Sequence, residues 1–368
     1  MLLLLFAFIY LIKSVITTLA FALVGVAVAA VSGLVLARFF HWRSVRVFCA
    51  FIRSVHELFW ALFFLQIFGL QTLTGLLAII IPFTGIFTKV YAEIIEETDQ
   101  KPRHALPANS LKTSSAYLYT KLAAAWPQLM MYTRYRLECG IRSSAILGFV
   151  GLPTLGFHLE SFFKQGDYAE AAGVLYVFFL IIATIKFWSH RRSLLVLLVL
   201  SFFALPFDLT LHTENILRFL TQDIIPSPLR YAESWWNLEV WKSTLEWSAW
   251  LFSHQIKEGT WNTLLLTMIA LVGSGVITMA LYPFVSPLFF GKGMRWPSHL
   301  FLVIMRSLPE LMLAFVIVLM IGPSMLPAII ALSLHNGAII AHLLGQSTRT
   351  MALRQDAPKG MNLYLYEV

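Results

Sequence analysis

The stretch Arg53-Ser54-Val55-His56-Glu57-Leu58 returns as Arg306-Ser307-Leu308-Pro309-Glu310-Leu311, an offset of 253 positions. At the same offset Gly69 meets Gly322 and Ala78 meets Ala331, so the register persists well past the motif. Four identities in six residues, with two charges carried into apolar surroundings, exceed what shared composition produces and mark a tandem duplication. The surroundings say what kind of unit was copied. Of 368 residues 58% are apolar and 12% charged, with a mean hydropathy of +0.75. Apolar runs of this length match the ~30 Å hydrocarbon core, where backbone must satisfy itself as helix. The chain reads as an all-α, polytopic membrane helical bundle. A secreted disulfide scaffold, a nucleic-acid-binding module and a cytosolic enzyme are excluded. The formal net charge of +8 comes with no basic cluster on a soluble fold, so no nucleic-acid partner is expected and the charge is topological.

Nine apolar segments are predicted, at about 11-37, 47-68, 70-94, 127-157, 168-188, 193-211, 262-289, 298-321 and 325-345. The first is a retained span, since it lacks a cleavage site. Alternate loops separate by charge. Arg38, Arg43, Arg46, Lys101, Arg103, Lys112, Lys121, Lys186, Arg191, Arg192, Lys292, Arg295, Arg349, Arg354 and Lys359 fall on one side. Lys164, Arg218, Arg230, Lys242 and Lys257 fall on the other. Fifteen against five places the rich side in the cytoplasm and the N-terminus outside. The segment 212-261 is then external. Its Trp235, Trp236, Trp241, Trp247 and Trp250 predict an amphipathic helix at the interface, either structural or a dock for an external partner.

The first copy covers 11-190 in five spans, an odd number that would invert the second copy. The extra span 193-211, in a connecting region 191-261, restores the orientation. Two parallel repeats result, related by an axis along the membrane normal, an arrangement that places a pathway at the repeat interface. The second copy, 262-368, stops after three spans, and the expectation is a fragment or truncated reading frame.

Several residue runs resemble the phosphonate-type permeases of bacterial ATP-binding-cassette (ABC) importers. These are Glu138-Cys139-Gly140-Ile141-Arg142-Ser143-Ser144-Ala145-Ile146-Leu147-Gly148-Phe149-Val150-Gly151 after Trp126-Pro127-Gln128, Tyr91-Ala92-Glu93-Ile94-Ile95-Glu96-Glu97, Arg306 to Leu311, and Ala331-Leu332-Ser333-Leu334-His335-Asn336-Gly337. The similarity covers roughly 11-190 and 262-368, as in the fused, double-length members. The resemblance implies a type I importer permease in the bacterial inner membrane that does no chemistry and needs no cofactor. Its implied partners are two copies of an ATP-binding subunit, an extracytoplasmic substrate-binding protein and membrane lipid. Its implied cargo is an organophosphonate or related phosphorus oxyanion. It also implies a short cytoplasmic helix, marked by Glu-Ala-Ala with a later Gly, that docks on the ATPase. This falls at 98-126, with Ala105, Leu106, Ala108 and Ser114, and at 346-368, with Asp356, Ala357 and Gly360. The first copy departs from the pattern, with His104 in place of Glu and no Gly in 109-114.

The residues offer no catalytic site. Gly291-Lys292 is followed by Gly293 and lacks the upstream Gly of a phosphate-cradling loop, and the His residues form neither metal nor triad spacing. Cys49 and Cys139 read as small buried hydrophobes. Charges at membrane depth carry more weight, because each costs about 2.5 to 3.5 kcal/mol to insert. Arg53 and Glu57, spaced i,i+4 like Glu138 and Arg142, can pair along a helix. Arg53 and Arg306 either fix register in such pairs, with Glu57 and Glu310, or line a path for an anion. His335 and Asn336 serve close packing or the path. Gly148, Gly151 and Gly156 form a gate or merely end a helix. A secondary transporter, another polytopic protein without ATP coupling, and a membrane-embedded enzyme or scaffold remain alternatives.

Overall fold

The computed structural model describes residues 2–98, 115, 117–206 and 213–348. Among these there is no strand, and two compact units divide at Phe219/Leu220. The first unit begins with α1 (Leu2–Ala37), α2 (Arg43–Ser54), α3 (Glu57–Phe68) and α4 (Thr72–Glu97). It continues with α5 (Ala123–Ile146), which a π-helical turn Tyr117–Leu122 leads into, α6 (Leu155–Gln165), α7 (Tyr168–Ala183) and α8 (Arg191–Ala204).

Small residues let the spans of this unit approach. A Cβ at Gly33 of α1 would come within 2.5 Å of the Phe87 Cβ on α4, and one at Gly140 of α5 would collide with Val26 of α1. Lipid gives no hydrophobic drive for helix association, so close van der Waals contact and interhelical hydrogen bonds must supply it. The Ser32 and Thr84 hydroxyls lie 2.7 Å apart, joining α1 to α4. Tyr91 Oη and Thr133 Oγ1, 2.6 Å apart, join α4 to α5. Phe21, Ile79 and Phe87 are fully buried between these helices.

The second unit holds α9 (Leu238–Leu251), α10 (Lys257–Val285), α11 (Lys292–Ser307), α12 (Glu310–Ile321) and α13 (Leu326–Ser347). Its main pairing is α10 with α13. There a Cβ at Gly273 would strike Ser333, one at Gly337 would sit 2.8 Å from Ile277 Cγ2, and Thr278 Oγ1 donates to the Gly337 carbonyl at 3.3 Å. Val285, Leu302, Ala338 and Ala341 form one core cluster, and Leu313, Ile317 and Ala331 another.

Four helices are long and apolar enough to cross a bilayer alone: Tyr10–Ala37, Thr72–Glu97, Leu238–Val285 and Leu326–Gly345. With three bent pairs the count among the described residues reaches seven, against the nine segments expected. Tyr168–Ala183, 16 residues or about 24 Å, is short for a span, because the helix closes at Thr184 before the polar Ser189-His190 stretch. Three expected spans are not straight, and 127–157 is bent by 49° between Val150 and Leu155. Residues 47–68 divide into α2 and α3, bent 91° apart, and 298–321 divide into α11 and α12, bent 97°.

The same local geometry makes both breaks. Val55 (φ −96°, ψ 127°) and His56 (φ −65°, ψ 147°) are extended, and so are Leu308 (φ −71°, ψ 131°) and Pro309 (φ −57°, ψ 137°). His56 caps α3 by accepting from the Leu58 N–H on Nδ1 at 3.2 Å. Pro309 has no N–H to give and its ring excludes the residue before it from helix. Each short helix then ends on a glycine with positive φ, 77° at Gly69 and 93° at Gly322, which a residue with a Cβ adopts only under strain.

The Trp-rich region also differs from the expected boundary at 261/262. Helix runs from Leu238 to Val285 through a π-helical stretch Phe252–Ile256, because Ser248 to Trp261 contains no proline and its one glycine does not stop it. Its 48 residues span about 72 Å, more than twice the hydrocarbon thickness.

Candidate functional site

The bend at Val55–His56 reorganises the charges read from the sequence. Arg53 ends α2 and Glu57 opens α3, so the two do not share a helix and the i,i+4 relation does not exist. Glu57 instead turns to α5, where its Oε1 accepts from Ser143 Oγ at 2.8 Å, with His56 Nε2 3.7 Å from the same oxygen. Ser143 Oγ also lies 3.2 Å from the Cys139 carbonyl. Glu138 and Arg142 do share α5, and the Arg142 Nη2 donates to Cys139 Sγ at 3.1 Å. Cys139 is therefore more than an inert filler.

Arg53 points to a different company. It lines a cavity of about 310 Å³ together with Ala50, Ser54, Ile86, Lys89 and Arg136. Three helices thus each contribute one cation: α2 gives Arg53, α4 gives Lys89 and α5 gives Arg136. Arg136 is held in place. Its Nε donates to Tyr132 Oη at 2.7 Å, and its guanidinium lies 5.4 Å from the Tyr132 ring, 5.8 Å from Tyr135 and 6.0 Å from Phe83. Such aromatic faces favour a cation electrostatically without using its remaining N–H groups. Lys89 has Glu93 Oε1 at 3.5 Å one turn on, an exposed pair that adds only a few tenths of a kcal/mol. The cavity holds the volume of roughly ten waters, room for a small hydrated anion.

Lys89 and Arg136 were not among the residues picked from the sequence as a site. Sequence spacing cannot bring α4 and α5 together. The available signal was Lys89 as a cation in an apolar run and Arg136 as one of the charges, with Arg134, Glu138 and Arg142, that interrupt 127-157.

In the second unit Arg306 ends α11, and Glu310 opens α12 with its Oε2 3.7 Å from His335 Nε2 on α13. His335 Nδ1 also lies 3.3 Å from the Met305 carbonyl, whereas Asn336 is exposed on the same helix, so the two do not act on one point. At the offset of 253, Lys89 corresponds to His342, whose ring lies 5.1 Å from that of His299.

The glycine cluster is a backbone crossing. A Cβ on Gly148 would strike Gly156 and the Phe157 nitrogen, and one on Gly156 would strike the Ala145 carbonyl. Gly151 turns the chain with φ 98°. The elbow between α5 and α6, bent 49°, is pinned to α1 by Leu155 N–H donating to Thr18 Oγ1 at 2.9 Å and by His158 Nε2 lying 2.7 Å from Ser14 Oγ. Of the remaining site residues, Ala105, Leu106, Ala108, Ser114, Asp356, Ala357 and Gly360 lie outside the described residues. Among the described residues no group of three or more His, Cys, Asp and Glu is placed to hold a metal ion.

Comparison with known proteins adds relatives. The chain is 34% identical over 160 residues, 42% of its length, to 29% of the phosphate-import permease protein PhnE of Mycolicibacterium smegmatis. It is 31% identical over 188 residues, 48% of its length, to 68% of the phosphite transport system permease protein PtxC of Stutzerimonas stutzeri. It is 25% identical over 116 residues, 32% of its length, to 95% of the putative cryptic phosphonate transport system permease protein PhnE2 of Escherichia coli. The match thus takes in less than a third of the first of these proteins and about two thirds of the second. No protein-family model and no solved structure matches the chain.

Proposed function

Since the chain belongs to the permease family of phosphite and phosphonate transport systems, we propose that it is the membrane subunit of an ATP-driven importer for a small phosphorus oxyanion in the bacterial inner membrane. The observation that carries the cargo class is the cavity lined by Arg53, Lys89 and Arg136. Cations from three helices converge on one cavity, with Glu93 3.5 Å from Lys89, and a cluster of one sign on a concave surface attracts a small anion. Guanidinium forks match the oxygens of a tetrahedral phosphorus anion in pairs, and the phosphate, phosphite and phosphonate in the relatives' names share that geometry.

The chain carries no hydrolytic machinery in this account. Two copies of an ATP-binding subunit hydrolyse ATP and grip the segments 98-126 and 346-368. An extracytoplasmic binding protein delivers the cargo. The sequence repeats 11-190 and 262-368 act as the two halves that rock between inward-open and outward-open states. Support for the duplication comes from the bends of 91° and 97°, the glycines Gly69 and Gly322, and the helix-opening Glu57 and Glu310, all in one register.

The test is co-purification followed by energetics. Tagged chain extracted in mild detergent retains its ATP-binding subunit, and phosphite uptake stops when ATP is depleted. A chain that never retains an ATPase, with uptake that persists on a proton gradient alone, overturns the ATP-driven reading in favour of a secondary transporter.

A further inference from the structure

The faces of α2 and α11 that turn away from their own units are mixed in character. On α2, Cys49 and Ile52 are buried, packed against Gly85 of α4. Val47, Phe48 and Phe51 stand 62%, 54% and 61% exposed, with Arg43 and Arg46 also exposed. At 100° per residue Arg43, Arg46 and Arg53 fall on one stripe, and Val47, Phe48 and Phe51 on the stripe beside it. On α11 the cations Lys292 and Arg295 share a stripe, and Trp296, Leu300 and Phe301 are exposed outside it, Trp296 to 72%. Neither helix contains an acidic residue.

Two further facts say what covers these faces. With 12 and 16 residues, α2 and α11 are about 18 and 24 Å long, both short of the ~30 Å hydrocarbon core. Each helix is also turned by about a right angle, 91° and 97°, from the apolar helix after it, so it lies across the direction of that helix. A short basic helix in the plane of the interface, with aromatic and aliphatic side chains on its other side, is built to rest at the headgroup level. Cations without acidic neighbours complement anionic headgroups and gain nothing comparable from zwitterionic ones.

We propose that α2 and α11 each bind the phosphodiester headgroups of anionic lipids, α2 through Arg43 and Arg46 and α11 through Lys292 and Arg295, with Phe48, Phe51, Trp296 and Phe301 seated among the upper acyl carbons. The site on α2 is separate from the cavity at Arg53, seven residues beyond Arg46 and about 10 Å along the helix. The proposal does not depend on the cargo.

Native mass spectrometry of the full chain in detergent, with phosphatidylglycerol and phosphatidylcholine added in equal amounts, tests it. Wild type retains phosphatidylglycerol preferentially. Arg43→Gln with Arg46→Gln, and separately Lys292→Gln with Arg295→Gln, each weaken retention at one site by roughly fivefold per charge removed, and leave phosphatidylcholine unchanged. Lys242→Gln with Lys257→Gln, on exposed positions of α9 and α10, changes neither. Should a double variant fail to give monodisperse protein, raised salt on wild type takes its place and strips phosphatidylglycerol selectively. Equal retention of the two lipids by wild type overturns the proposal. So does unchanged phosphatidylglycerol in both double variants, or a co-purifying protein that covers Arg43 and Arg46 in lipid-free detergent.

Discussion

Replacing Ser143 by Ala removes a donor from the Glu57 carboxyl at a point where α3 meets α5, and the structure sets the size of the effect. The bond is 2.8 Å long and Glu57 is only 17% exposed, with His56 Nε2 at 3.7 Å as its next neighbour. Side-chain hydrogen bonds between membrane helices average about 0.6 kcal/mol and reach about 1.7, because the unfolded chain in the bilayer also finds partners. A carboxyl acceptor places this one near the upper end, since bonds to charged groups are worth about 1.5 to 3 kcal/mol in soluble proteins. Ser143→Ala should therefore cost about 1 to 2 kcal/mol. At roughly 2 to 4 °C per kcal/mol for a unit of this size, the thermal midpoint in detergent falls by about 2 to 8 °C. The assay is a double-mutant cycle with Glu57→Ala, read by thermal unfolding under one set of detergent and salt conditions. The account predicts a coupling of about 1 kcal/mol or more. Additive losses, with coupling below about 0.3 kcal/mol, would refute the claim that Glu57 is held by α5 rather than paired along its own chain with Arg53.

Three further outcomes rest on named contacts. Gly156→Ala drives a methyl into the Ala145 carbonyl and should cost at least about 2 kcal/mol, seen as loss of the monodisperse peak in fluorescence-detected size exclusion, whereas Gly173→Ala, with open space around its Cβ, should leave that peak intact. Lys164→Met breaks a Lys–Glu contact 2.7 Å long, yet Lys164 is 72% exposed and the loss should stay under about 0.5 kcal/mol by the same thermal assay. If the sequence repeats 11-190 and 262-368 share one orientation, single cysteines placed near 110 and near 355 label from one side of intact cells, and labelling from opposite sides rejects that orientation.

The all-helical membrane character was legible from composition and run length, because the bilayer allows a long apolar segment few conformations. The matching runs Arg53 to Leu58 and Arg306 to Leu311, at one offset, each lie at a right-angle break. The right-angle breaks were not read, although Pro309 was the available signal. A proline preceded by Leu308 stops a helix, and the register transfers that stop to His56, which carries no such mark by itself. Hydropathy averaged across the break saw one run. In fact α2 is amphipathic, whereas α3 beyond Glu57 is apolar except for Gln66. The cavity was half legible. Arg53 stood out as a charge among apolar residues, but its meeting with Lys89 and Arg136 depends on how α2, α4 and α5 pack, which no local spacing encodes. The glycines at 148 and 156 were visible as a cluster, while their role as a backbone crossing needed the Ala145 carbonyl in place.

The central claim is that this chain passes a phosphorus oxyanion and that the three-cation cavity takes part. Its most direct measurement is uptake of radiolabelled phosphite by cells without other phosphite uptake, which express the chain with its ATP-binding and solute-binding partners. The account predicts saturable uptake that falls at least tenfold with Arg136→Gln and with Lys89→Gln, at equal protein in the membrane, while Arg134→Gln, exposed on α5 and away from the cavity, transports normally. Undiminished uptake by both cavity variants, or no uptake of phosphite, phosphate or any phosphonate by the wild type, would contradict it.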